Sequence, residues 1–106
     1  MDLLGRTEEV LLLTIWRLQD EAYGLSIRDE ICAKTGSEWS IGAIYAPLHR
    51  LERKGLVTTK FGLPEAKRGG RRTVLYHLTQ SGKNALLDTK AVQDALWTGI
   101  LTLKRA

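Results

Sequence analysis

Apolar residues recur at helical spacing near the start of the chain. Leu11, Ile15 and Leu18 form one stripe, Leu12 and Trp16 widen it, and Val10 and Leu13 lie on the other side. The pattern predicts a helix from Thr7 to about Asp20, covered by other parts of the protein on both sides. Thr7 offers a capping hydroxyl, and Glu8 and Glu9 sit at the positive end of the helix dipole. Ala22-Tyr23-Gly24 breaks the pattern. Ser26 then starts a second helix, with Asp29 three residues on, Ile27 and Ile31 facing inward and Gly36 as a stop. Ser40 caps a third helix, in which Ile41, Ile44, Leu48 and Leu51 recur at steps of three and four and which Gly55 ends. Pro47 falls inside it and removes one backbone donor. Either the helix is kinked there, or its first turn is irregular and the regular part starts late.

Beyond Gly55 the period changes from helical to alternating. Residues 56–61 (Leu-Val-Thr-Thr-Lys-Phe) and 73–78 (Thr-Val-Leu-Tyr-His-Leu) are β-branched and alternate, which predicts two strands. The segment between them holds Pro64, Gly69-Gly70 and four basic residues, the composition of a hairpin with a long basic tip. Thr79 caps a fourth helix, expected from Gln80 to Leu103 and about 36 Å long. Its Ala85, Thr89, Val92, Leu96, Gly99 and Leu103 fall at alternating steps of four and three, a heptad-like seam. The fold class is therefore mainly α with a two-stranded β-hairpin. Residues 1–78 are expected as a winged helix-turn-helix domain and residues 79–106 as a dimerisation helix.

With 106 residues the chain has room for one core. Its lone cysteine, Cys32, excludes an intrachain disulfide and a Cys-based zinc site, and is expected as a small buried residue. The longest apolar run, Val10 to Leu13 and then Ile15-Trp16, is too short to span a bilayer, and acidic residues precede it where a signal peptide would be basic. A cytoplasmic location without membrane contact is expected. No cluster of metal ligands, no phosphate loop and no nucleophile with a base and orienter stands out, so neither an enzyme nor a cofactor or metal is expected.

Charge is unevenly placed. Residues 1–40 carry a net −4, residues 41–72 a net +6 and residues 73–106 a net +2. A polyanion is the leading partner for the middle third. The third helix suits the major groove of double-stranded DNA. Gly42, Ala43 and Ala46 would let its backbone come close, and Tyr45, His49 and Arg50 could then reach phosphates or base edges. No acid stands three or four residues after Arg50 to compete for it. Each residue also has a plainer role open to it: Tyr45 packing at the core edge, His49 solvated, the wing arginines paired with water alone. Trp39 is expected to staple the third helix.

Residues 40–57 (Ser-Ile-Gly-Ala-Ile-Tyr-Ala-Pro-Leu-His-Arg-Leu-Glu-Arg-Lys-Gly-Leu-Val) resemble the recognition-helix segment of the PadR family of bacterial transcriptional regulators. Gly69-Gly70-Arg71-Arg72, followed by residues 76–82 (Tyr-His-Leu-Thr-Gln-Ser-Gly), resembles that family's wing exit and the start of its C-terminal helix. The resemblance runs from about Leu11 to Leu87. It implies a winged-helix repressor of the small subfamily, a homodimer on a palindromic operator. The dimer would form through the N-terminal helix (Leu11) and the C-terminal one (Val92, Leu96, Gly99, Ile100, Leu103). Ser40 and Gly42 match the family's helix start, Tyr45 its helix tyrosine near the DNA backbone, and Arg71 and Arg72 the basic end of the wing. Lys67 and Arg68 lie in the variable wing tip and are assigned to DNA on charge alone. Many members place proline directly after the tyrosine, whereas here Ala46 intervenes. Some members bind flat aromatic effectors between the dimer's helices, which points to Trp16 and Trp97 as effector contacts or as interface padding. The alternative function is a winged helix used for protein binding or as an assembly subunit.

Overall fold

A computed structural model describes residues 3–62, 73–100 and 103–105. Helix α1 (Arg6–Leu18) leads through a 3₁₀ turn (Gln19–Glu21) to α2 (Gly24–Thr35) and α3 (Ile41–Arg53). Strands β1 (Val57–Phe61) and β2 (Val74–Leu78) pair antiparallel, Val57 opposite Leu78 and Phe61 opposite Val74. Helix α4 (Gln80–Trp97) follows. The winged-helix arrangement expected from the residue pattern is the one observed.

The core is built from the predicted stripes. Leu11, Leu12 and Ile15 of α1, Ile27 and Ile31 of α2, and Ile44, Leu48 and Leu51 of α3 are fully buried together, with Val57 and Tyr76 from the hairpin closing one side. Trp39 packs against this cluster, as its place before the Ser40 cap predicts. Cys32 is half-buried and accepts the Trp39 amide on its Sγ at 3.3 Å. Midway along the outer edge of β2, the Tyr76 amide donates to the Ala22 carbonyl at 2.8 Å.

Helix ends differ from expectation where a back-bonding side chain replaces a forward cap. Helix α1 starts at Arg6, since Glu8 reaches back to the Gly5 amide at 3.0 Å and Thr7 is not the cap. Helix α2 starts at Gly24, before Ser26. The Ser26 hydroxyl accepts from the Tyr23 amide at 2.9 Å and donates to the Glu21 carbonyl at 2.6 Å, while Asp29 pairs with Arg28. Helix α3 does start on a Ser40 cap, whose Oγ accepts from the Ala43 amide at 3.1 Å. Its first turn is regular and it runs unbroken through Pro47. The proline ring is buried, and the Ala43 carbonyl it leaves without a helical donor belongs to an exposed residue.

Helix α4 is shorter than the seam suggests. It stops at Trp97, where the Thr98 amide and hydroxyl both bond to the Asp94 carbonyl and Gly99 takes φ +86°. Gly99, Ile100 and Leu103 therefore lie beyond the helix. The seam's Thr89 is buried within the chain, accepting the Leu4 amide at 3.3 Å. Beside it, Gln93 donates to both carboxylate oxygens of Glu9, at 3.1 and 3.2 Å. At the other end, the Thr79 hydroxyl donates to the Gly55 carbonyl at 2.6 Å and its amide to the Leu56 carbonyl at 3.0 Å. Gly82 lies so close to that carbonyl that a Cβ would overlap its oxygen.

One long-range ion pair joins α1 to the end of α3. Lys54 Nζ lies 2.6 Å from Glu8 Oε2, and the Glu8 side chain is largely shielded. The bond from Lys54 holds the Glu8 carboxyl below its ordinary 4.5, against the opposing effect of burial and with help from the Gly5 amide and the charge of Arg50. A carboxyl lowered in the folded state stabilises fully above its unfolded value, and that stabilisation is lost as pH falls through the lowered one. Glu8→Gln is expected to flatten the fall in melting temperature as pH drops below about 5 relative to the parent protein. An identical acid profile in the variant would show that the pair contributes nothing.

Candidate nucleic-acid interface

Helix α3 is two-sided because its buried residues, Ile44, Pro47, Leu48 and Leu51, fall at steps of three and four. The opposite side carries Gly42, Ala43, Ala46, His49, Arg50 and Arg53, all exposed. Small residues fill its first half and polar ones its second. Gly42 is not demanded by anything inside the chain: a Cβ there would find only the Ser40 hydroxyl oxygen, at 4.0 Å. The structure thus gathers Ser40, Gly42, Ala43, Tyr45, His49 and Arg50 on or beside one accessible surface.

Tyr45 stands at the wing-side flank of that surface, 39% exposed. Its ring leans onto Gly24, the first residue of α2. With His49, Glu52, Thr59 and Tyr76 it lines a shallow cleft of about 370 Å³ between α3 and the hairpin. Burial pushes the Tyr76 phenol above its ordinary value, and the nearby Tyr45 and Glu52 add to the effect. Glu52 accepts a hydrogen bond from the Thr59 hydroxyl at 3.1 Å, which ties α3 to β1. On the other flank, Arg50 lies close enough to Glu8 to lower that carboxyl. The fold thereby brings near Arg50 an acid that its own helix lacks. The four wing positions Lys67, Arg68, Arg71 and Arg72 lie outside the described residues.

The residues expected at a dimer contact separate. Leu11 is a correction: with none of its surface exposed, it belongs to the chain's own core and has nothing to offer a partner. Val92 is half-buried, whereas Leu96, Ile100 and Leu103 are exposed by 71, 51 and 69%. The expected covering of α1 on both sides is also incomplete, since Leu13 and Trp16 are about half exposed. They border a cleft of about 530 Å³ between α1 and α4, with Leu78, Leu86 and Leu87 completing its apolar wall. Lys83 Nζ sits 5.0 Å from the centre of a Trp16 ring. Trp97, at the far end of α4, does not line this cleft. Leu86 and Leu87 fall between Ala85 and Thr89, the positions that the heptad-like spacing marks, so that spacing does not single them out.

The profile of the Transcriptional regulator PadR-like family matches residues 12–88. The chain belongs to the PadR-like family. Among solved structures, this PadR-like chain is similar to RosR of H. salinarum, at 28% identity and a TM-score of 0.71 over 91% of this chain and 79% of that one. It is equally similar to RosR in the complex hsRosR-S4, at 28% identity and 0.71 over 91% and 76%. The PadR-like transcriptional regulator BC4206 from Bacillus cereus shares the fold, at 24% identity and 0.71 over 88% and 85%. No curated protein matches the chain. Because RosR is archaeal, the resemblance does not assign this PadR-like chain to bacteria. Its family makes it a DNA-binding transcriptional regulator and not an enzyme. Among the described residues, no helix is long and apolar enough to cross a membrane, and no group of His, Cys, Asp and Glu could hold a metal ion.

Proposed function

We propose that the protein is a homodimeric repressor that binds a palindromic operator, inserting α3 into the major groove and laying residues 62–72 along the flanking backbone. The observation that carries this reading is the outward side of α3. Its small residues, Gly42, Ala43 and Ala46, serve no packing need in the chain and leave the backbone open to close approach. His49, Arg50 and Arg53 follow as donors at the distance of one to three helical turns. Ser40 and Tyr45 would meet phosphates at the edges of the groove. Lys67, Arg68, Arg71 and Arg72 would neutralise phosphates beside it.

In this proposal residues 1–78 read DNA and residues 79–106 hold the partner. Leu96 and Trp97 favour such a partner, because α4 carries them past the part of the body that covers its first turns. Val92, Gly99, Ile100 and Leu103 extend the same contact. Trp16, beside Lys83 in the apolar cleft, would be where a small aromatic effector is held.

Selection of bound duplexes from a random DNA pool tests the reading. An inverted repeat is expected, with half-site centres about 34 Å apart, one turn of the duplex. Reversing the charge of Arg71 and Arg72 is expected to weaken binding to the selected duplex at least tenfold. A chain acting only as a protein-interaction module would enrich no sequence, and the charge reversal would leave its weak DNA affinity no lower than an unrelated surface change does.

A further inference from the structure

Gly24 opens α2 with an ordinary backbone conformation, so the chain direction does not require glycine there. Helix propensity favours alanine instead. The residue is buried, and the three atoms nearest to a Cβ at this position all belong to Tyr45: its hydroxyl oxygen, which the Cβ would overlap, Cζ at 2.6 Å and Cε1 at 3.1 Å. Glycine is thus matched to one side chain on a different helix. That side chain stands at the flank of the outward surface of α3, one turn before His49 and on the wall of the cleft towards β1 and β2.

We propose that Gly24 is a positioning residue for DNA recognition: its bare Cα is the seat on which the Tyr45 phenol rests, and this seat fixes where the tyrosine hydroxyl meets the duplex. Ile44, the residue before Tyr45, is locked in the core, so the α3 backbone cannot shift to accommodate a methyl group on Gly24. The flexible partner is the tyrosine side chain, whose ring must swing to another rotamer. A methyl group on α2 thereby alters the α3 surface without touching DNA. The inference rests on the reading of α3 as the DNA-contacting helix.

The test is a double-mutant cycle on a fluorescein-labelled duplex of the sequence selected from the random pool, with melting temperature measured in parallel. Gly24→Ala and Tyr45→Ala are each expected to weaken binding by about tenfold, the loss of one well-placed contact. Gly24→Ala is expected to melt no lower than the parent, because the displaced ring moves into solvent and the helix gains alanine. In the Tyr45→Ala background, Gly24→Ala is expected to change affinity less than twofold. Losses that multiply in the double variant would overturn the proposal, as would a Gly24→Ala variant that binds like the parent. A Gly24→Ala variant that fails to fold and is not rescued by Tyr45→Ala would also overturn it. Arg50→Ala separates this from the underlying reading: if it too leaves affinity unchanged, α3 is not the reading helix, and if it alone weakens binding, only the role of Gly24 fails.

Discussion

Gly82→Ala is expected to lower the melting temperature by about 15 °C, the largest change expected among the glycines of the described residues. The atoms that the new Cβ would strike are backbone. It would overlap the Leu56 carbonyl oxygen, stand 3.1 Å from the carbonyl carbon and 3.0 Å from Leu78 Cδ2. Backbone here has little freedom to yield. The Leu56 amide donates to the Leu51 carbonyl, its carbonyl accepts from the Thr79 amide, and Thr79 itself bonds to Gly55. Relief must come from prising α4 away from the turn that ends α3. Overpacking of this kind costs about 3 kcal/mol, of which the better helix propensity of alanine returns less than 1. In a domain of this size each kcal/mol moves the midpoint by about 4–8 °C. Thermal unfolding followed by circular dichroism measures it directly. A variant melting with the parent would mean that α4 does not press on the Leu56 carbonyl, and the junction between α3 and α4 would have to be redrawn. Gly24 offers the contrast: there the obstacle is the end of a movable side chain, and no comparable loss is expected.

Operator affinity is expected to fall about a thousandfold between 50 and 200 mM salt, as it does when about six phosphates are neutralised and their counterions released. The expectation follows from the middle third of the chain, where eight basic residues face two acidic ones. Among the described residues these cations are not equivalent. Lys54 is held by Glu8 at 2.6 Å and is already neutralised, so Lys54→Ala should leave the salt slope unchanged. Arg53 is exposed at the last turn of α3, and Arg53→Ala should flatten the slope by about one unit. Fluorescence anisotropy across a salt series reads both. Binding indifferent to salt would rule out a phosphate-dominated interface, and a Lys54→Ala effect equal to that of Arg53→Ala would show that the ion pair opens on DNA.

Much of the architecture can be read from spacing alone. Ile44, Leu48 and Leu51 mark the inner side of α3 so clearly that the outer side follows by subtraction, and Ser40 caps it where a serine before such a stripe should. Helix ends were less legible. Ser26 and Thr7 look like caps, yet Ser26 and Glu8 act backwards on amides that precede them, a choice that depends on which backbone groups the 3₁₀ turn and the N-terminal segment leave without partners. The extent of α4 misled for another reason. A repeat of four and three continues formally through Gly99 and Leu103, but glycine at φ +86° ends a helix whatever the repeat does beyond it. The resemblance names an N-terminal helix as a dimer contact without saying which of its sides the core takes, and Leu11 falls on the core side. The role of Gly24 and the approach of Glu8 to Arg50 join residues far apart in the chain, and no local spacing encodes either.

The carbonyl of Ala22, which takes up the Tyr76 amide, has a bearing on how the protein behaves in a crowded solution. With an amide midway along the outer border of β2 already bonded, another chain could not zip along the whole of that strand, and the described sheet leaves it the five residues of β1. That short ribbon carries the charged Lys60 beside the exposed Phe61, and a cation there discourages strand-to-strand stacking. A two-stranded wing needs such guarding if molecules crowded along a stretch of DNA are to remain separate folded units rather than seeds of an aggregate.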